Sequence, residues 1–177
     1  MLKHNVAQLL LSPVGTTREL EIEEKVFRAD KLEARNLHGR VVLTRLREDI
    51  LLQGRVEGDV VLECSRCLEA YAQHLQMEME LQFQPSVAIL TGEALPLPEN
   101  DNVYLIDSHH ILDLTEPIRE QVILSLPMRP LCRPDCAGLC PTCGKNLNEG
   151  PCGGHTEEVD ERLAVLAALL KREPSTE

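Results

Sequence analysis

Between Tyr71 and Gln84 apolar and polar residues alternate, with Leu75, Met77, Met79, Leu81 and Phe83 on one parity and His74, Gln76, Glu78, Glu80 and Gln82 on the other. Successive side chains of a strand point to opposite faces, so this segment predicts a half-buried β-strand with one wet face. Upstream, Arg40–Leu46, Ile50–Val56 and Val60–Cys64 are short β-branched runs separated by Glu48-Asp49 and by Gly58-Asp59, which read as turns. Thr17–Glu23 alternates as well and adds a strand. The pattern is that of an antiparallel β-meander or barrel-like sheet. Pro85, Gly92, Pro96, Pro98 and Asn100 then punctuate residues 85–102, which read as a long excursion.

After it the period changes from two to that of a helix. Thr115 is placed to cap a helix through Leu126, with Pro117 in the first turn, where its missing N–H costs nothing. Ile118, Val122, Ile123 and Leu126 form its apolar stripe, and Pro127 and Pro130 stop it. A last helix is predicted from Asp160 to Lys171, with Leu163, Leu166, Leu169 and Leu170 on one face and Lys171 and Arg172 at its C-terminal end. The expected organisation is a sheet domain over 1–127 with an acidic loop at 85–112, a Cys-rich segment at 128–156, and a C-terminal helix at 157–177 that packs on the domain.

Composition narrows this α+β picture. The chain has 177 residues, 43% of them hydrophobic, but two Phe, two Tyr and no Trp, so its core must be aliphatic. No stretch is long and apolar enough to span a bilayer, and the N-terminal segment lacks the pattern of a secretory leader. A cytoplasmic location is the expectation, with reduced thiols and no membrane partner. The net charge is −11, unevenly spread. Residues 84–118 carry six acids and no Lys or Arg, whereas residues 25–55 hold eight basic residues against four acidic ones. Should the protein touch RNA, Arg40, Arg45, Arg47 and Arg55 are the first candidates. Solvated arginines on the outer face of a sheet are the plainer explanation.

The chemistry-bearing feature is cysteine. Five of the seven fall in the run Cys132-x3-Cys136-x3-Cys140-x2-Cys143-x8-Cys152, followed by His155, and Cys64-x2-Cys67 forms a separate pair. Seven thiols and an imidazole suffice for one or two zinc ions, each needing four donors at about 2.1–2.3 Å. Their neighbours are Pro, Gly, Asp and Asn rather than apolar residues, which argues against thiols packed as small hydrophobes. Spacing permits two partitions. Cys64, Cys67, Cys140 and Cys143 can form a ribbon-like centre, leaving Cys132, Cys136, Cys152 and His155 for a second. Alternatively Cys132, Cys136, Cys140 and Cys143 or Cys152 share one local zinc, with Cys64 and Cys67 a reduced pair. The other histidines, His4, His38, His74, His109 and His110, read as surface or strand residues.

The enzymatic alternatives lack their parts. No HExxH, paired-carboxylate or His-x-Glu constellation accompanies the cysteines, and no phosphate-binding or dinucleotide fingerprint occurs. Cys64-x2-Cys67 ends a strand in an antiparallel run rather than opening the βαβ unit of a thioredoxin-like site. Neither an enzyme nor a small-molecule substrate is expected.

Several pieces together resemble one family: Asn5-Val6-Ala7-Gln8-Leu9-Leu10 before Pro13-Val14-Gly15, Leu62-Glu63-Cys64-Ser65-Arg66-Cys67, Asp113-Leu114-Thr115 leading into Pro117-Ile118-Arg119-Glu120-Gln121, Leu126-Pro127-Met128, the DCAGLCPTCGKNLN stretch, and Leu163-Ala164-Val165-Leu166. The combination is similar to the YceD family of large-subunit ribosomal RNA accumulation proteins. The resemblance implies a non-enzymatic ribosome-biogenesis factor needed for accumulation of large-subunit (23S) ribosomal RNA, with ribosomal RNA or a basic ribosomal protein as partner. In relatives with this segment a Cys-x-Cys often closes it. Here Cys152-Gly153-Gly154-His155 stands there, which makes His155 the substitute ligand. Two other functions compete: a redox- or zinc-responsive regulator, resting on thiolate density, and a zinc hydrolase, which requires an open coordination position.

Overall fold

The computed structural model describes residues 2–29, 32–98 and 102–154. Four long strands, β2 (Thr17–Ala29), β3 (Leu32–Arg45), β4 (Ile50–Glu63) and β5 (Ala70–Pro85), form an antiparallel meander, and β6 (Val103–Ile106) joins it parallel to the end of β5. The order in the sheet is β2-β3-β4-β5-β6. A small antiparallel pair, β1 (Lys3–Asn5) with β7 (Ile111–Asp113), flanks it. Two helices are described, α1 (Ala7–Leu11) and α2 (Thr115–Ser125), and no described helix is long and apolar enough to cross a membrane.

Several expectations change. Gly58-Asp59 makes no turn: Ile50–Val56 and Val60–Cys64 belong to one continuous β4, with Gly58 paired to Leu75 and Asp59 to His74. β3 starts well before Arg40, and its register with β4 shifts between Arg35 and His38, where Asn36 takes φ 52°. Residues 85–98 are no structureless excursion. Val87 bridges Ala94, Ser86 N donates to Ile106 O at 3.0 Å, and the Gln84 amide donates to Pro96 O at 2.9 Å. The acidic stretch therefore contains β6 and leads into β7, burying Ile106 and Leu112. Thr115 is the first helical residue rather than the cap: Leu114 occupies that position, and Asp113 Oδ1 accepts from Thr115 N at 2.9 Å.

The sheet is open, not barrel-like. Among the described residues β2 pairs only with β3 and β6 only with β5. The space a closing ladder would occupy is filled by helix: Leu9, Leu10, Ile118 and Val122 pack into one largely aliphatic core with the inward residues of every long strand, and α2 touches both β2 and β5. A Cβ at Gly39 would lie 2.3 Å from Arg55 O, and one at Gly54 2.3 Å from Arg40 O, so β3 and β4 cross this point closer than other residues allow. The predicted helix at 160–171 lies outside the described residues.

Candidate metal centre

The turn between β4 and β5 carries the first two thiols. Leu68 N donates to Cys64 O at 3.0 Å and Cys64 N to Glu69 O at 2.9 Å, and Leu68 takes φ 60° to complete a tight knuckle presenting Cys64 and Cys67. Beyond α2 the chain returns to this knuckle. Ser65 N donates to Pro130 O at 2.8 Å, Leu139 N to Arg66 O at 3.1 Å, and Arg66 Nη1 to Cys136 O at 2.8 Å. These bonds seat Cys132 and Cys136 against the knuckle. Gly138, at φ 77°, is needed for the contact, because a Cβ there would stand 3.2 Å from Arg66 O.

The four sulfurs of Cys64, Cys67, Cys132 and Cys136 lie within 4.8 Å of one another, with 3.8 Å between Cys64 and Cys136 and 3.6 Å between Cys67 and Cys132. Cys64, Cys67 and Cys136 are buried, and Tyr71, Leu131 and Leu139 pack around them. A second group joins Cys140, Cys143 and Cys152, with Cys152 3.5 Å from Cys140. Its turn is closed by Gly144 N on Cys140 O at 2.9 Å, with Gly144 at φ 71°, and by Cys140 N on Lys145 O at 2.8 Å. Cys140 is buried, whereas Cys143 is exposed.

The four-cysteine group has the donor set of a tetrahedral thiophilic ion, and the second group supplies three of the four donors such an ion takes. A zinc–sulfur bond of about 2.3 Å gives a tetrahedral edge of about 3.8 Å, the scale of the observed separations and far longer than a disulfide. The electrostatics agree. Backbone N–H groups of Cys67 and Cys132 pull the Cys64 thiol down to about 6, and those of Cys143 and Thr142 do the same for Cys140, also about 6. The Asn148 amide holds Cys136 below the usual thiol range. Burial and the neighbouring sulfurs push Cys132 up to about 12, and the contact with Cys140 raises Cys152. Each group thus mixes thiols poised to ionise with neighbours that resist a second negative charge, a repulsion a divalent cation relieves.

Neither partition suggested by spacing matches this grouping. The Cys64 and Cys67 knuckle faces Cys132 and Cys136, while the bridge between Leu139 and Asn146 turns the Cys140 and Cys143 knuckle away to its own partner, Cys152. His155 lies outside the described residues. Sequence reasoning also missed Arg66, Asn146 and Asn148, which hold the groups through side-chain hydrogen bonds; polar residues between cysteines were the available signal.

The four candidate arginines do not form one patch. Rows of paired residues cross the outer face of the sheet: Glu19-Val42-Gln53-Glu80, Glu21-Arg40-Arg55-Glu78 and Glu23-His38-Glu57-Gln76. Arg40 lies 3.7 Å from Glu21, and Arg55 donates to Glu78 at 2.6 Å. Arg45 and Arg47 sit elsewhere, lining a largely apolar groove of about 410 Å³ with Leu10, Val87 and Ile89. That groove is at the Ile50 end of β4 and the cysteines are past Glu63, roughly 45 Å away for a strand of this length.

The fold and site define an open, mainly antiparallel sheet whose β4–β5 turn is joined to the segment after α2 by a four-cysteine group, with a second cysteine group beside it. The chain belongs to the family described as Large ribosomal RNA subunit accumulation protein YceD, whose family model matches residues 52–170 and so spans both cysteine groups. It is 40% identical over 130 residues to an uncharacterised protein of Mycobacterium tuberculosis, a match covering 73% of this chain and 59% of that protein. It is 33% identical over 82 residues to the Large ribosomal RNA subunit accumulation protein YceD of Haemophilus influenzae, covering 46% of this chain and 45% of that protein. A chloroplastic YCED homolog 1 of Zea mays is 28% identical over 130 residues, covering 61% of this chain and 44% of that protein. No solved structure matches the chain.

Proposed function

We propose that the protein is a zinc-stabilised, non-enzymatic factor of large-subunit ribosome biogenesis, required for accumulation of large-subunit ribosomal RNA and acting in the cytoplasm through a basic ribosomal protein. Family membership carries the process. The outer face of the sheet carries the choice of partner. Its three rows hold six glutamates against Arg40 and Arg55, both already engaged with glutamates, so the face repels phosphate and attracts cationic protein. Cys64, Cys67, Cys132 and Cys136 would hold zinc as four thiolates, and the ion would serve as a structural cross-link between the segment after α2 and the β4–β5 turn.

In cells depleted of the protein, mature large-subunit ribosomal RNA falls and the sedimentation profile loses large subunits. A normal profile after complete depletion would overturn the reading. Direct RNA binding is the second reading, favoured by Arg45 and Arg47, which line the groove, Arg45 held there by its bond to Asp49 O at 3.1 Å. Charge reversal at both residues separates the two. A collapse of RNA affinity supports the RNA reading, and unchanged affinity removes it.

A further inference from the structure

Resting on the zinc reading of the four-cysteine group, we propose that the Cys140, Cys143 and Cys152 group takes a second ion and that the two centres are coupled, because the loop that carries the second centre builds an outer hydrogen-bond shell around the first. Asn148 is the positioning residue. It lies between Cys143 and Cys152, in the short 3-10 turn Leu147–Glu149, yet its Nδ2 donates to Cys136 Sγ of the other centre at 3.4 Å. Its Oδ1 accepts from Ala137 N at 2.8 Å and from Arg133 Nη2 at 2.6 Å, so the amide is clamped on both sides of Cys136 in sequence. Asn146 orients it, with Asn146 Oδ1 accepting from Asn148 N at 3.0 Å and from Asn148 Nδ2 at 2.8 Å. Asn146 Nδ2 in turn donates to Glu69 Oε1 at 2.8 Å, next to the Cys64 and Cys67 knuckle.

An N–H donor to a metal-bound thiolate withdraws charge from a crowded anionic shell, and loss of such an outer partner typically costs about 10–100-fold in metal affinity. Cys140 and Cys152 stand 3.5 Å apart at the two ends of the segment that contains Asn148. A metal ion held there fixes both ends of the segment, so the entropy of presenting the amide to Cys136 is already spent when the first centre fills. Coupling through equilibrium affinity is reciprocal: filling the first centre tightens the second by the same factor.

The test is zinc titration against a chromogenic chelator, paired with cobalt(II) absorption, on the full chain and its C143S, N148A and N148D variants. Asn148→Asp keeps the Oδ1 acceptor and replaces the N–H donor with oxygen. Wild type is expected to bind two ions. C143S is expected to lose one and to hold the other about tenfold more weakly. Both Asn148 variants are expected to keep two ions, to weaken the four-cysteine centre, Asn148→Asp more than Asn148→Ala because its carboxylate adds charge beside the thiolates, and to shift its sulfur-to-cobalt charge-transfer band, with far-ultraviolet dichroism unchanged. Two ions in wild type with an unchanged four-cysteine centre in every variant would overturn the coupling and leave the zinc reading intact. Weakening in C143S alone would overturn the assignment to Asn148. Absence of zinc binding by wild type would overturn the zinc reading itself and the coupling with it.

Discussion

Phe83 is the largest fully buried side chain of a core that is aliphatic apart from it and Phe27, and it meets Tyr104 with ring centroids 5.4 Å apart. Phe83→Ala should therefore lower stability by about 3–5 kcal/mol in chemical denaturation, since few neighbours are bulky enough to refill the space. On the opposite face of the sheet His74 Nδ1 lies 3.0 Å from Asp59 Oδ1, and its hydrogen bond to that carboxylate holds the imidazole above its ordinary 6.5. A group raised on folding stabilises the fold fully below its unfolded value, so this contribution is present below pH 6.5 and fades as pH rises through the raised folded value. Asp59 is lowered from 3.8 by its bonds to His74 and Asn36, so its own contribution is present above 3.8 and fades as pH falls through the lowered value. An NMR titration should place the His74 midpoint above 6.5, and Asp59→Asn should bring it back down. The Leu75 to Phe83 alternation made the buried set of β5 legible in the sequence, because period two needs no partner to define a face. The His74–Asp59 contact was not legible, since it depends on which residue of β4 stands opposite.

At the scale of elements, the cysteine module and the sheet are joined, outside the thiol contacts, by a handful of hydrogen bonds: Ser65 N to Pro130 O, Leu139 N to Arg66 O, Arg66 Nη1 to Cys136 O and Asn146 Nδ2 to Glu69 Oε1. Structural zinc binding is folding free energy, so chelation should release residues 128–154 while the long strands stay protected. Hydrogen exchange checks this, and equal loss of protection in β3 and β4 would contradict it. The boundaries of the elements show where local reading falters. Gly58-Asp59 carries turn chemistry, yet β4 runs through it, because Leu75 and His74 on the neighbouring strand offer those two residues a ladder. Thr115 has the side chain of a cap, but Asp113 two residues earlier already bonds its N–H.

At the scale of the molecule, the net charge of −11 becomes a surface once the meander lines up its glutamates in rows. Glu19→Lys with Glu80→Lys, two positions in one row, should weaken association with basic ribosomal proteins, and added salt should weaken the wild-type association likewise. Co-sedimentation of both forms over a salt series measures it, and salt-independent binding would count against the acidic face. The chain by itself determined the strand faces, the aliphatic core, the helix after Thr115 and the donor chemistry of seven cysteines, all of which rest on local periodicity and residue type. Tertiary structure alone decided that the sheet stays open around α2, that Arg40 and Arg55 are engaged by Glu21 and Glu78 while Arg45 and Arg47 line a groove, and that Cys64 and Cys67 meet Cys132 and Cys136. Spacing states how far apart thiols can be along a chain. Which of them come within a metal's reach depends on where the β4–β5 turn and the segment after α2 are brought together, and long-range packing sets that meeting point.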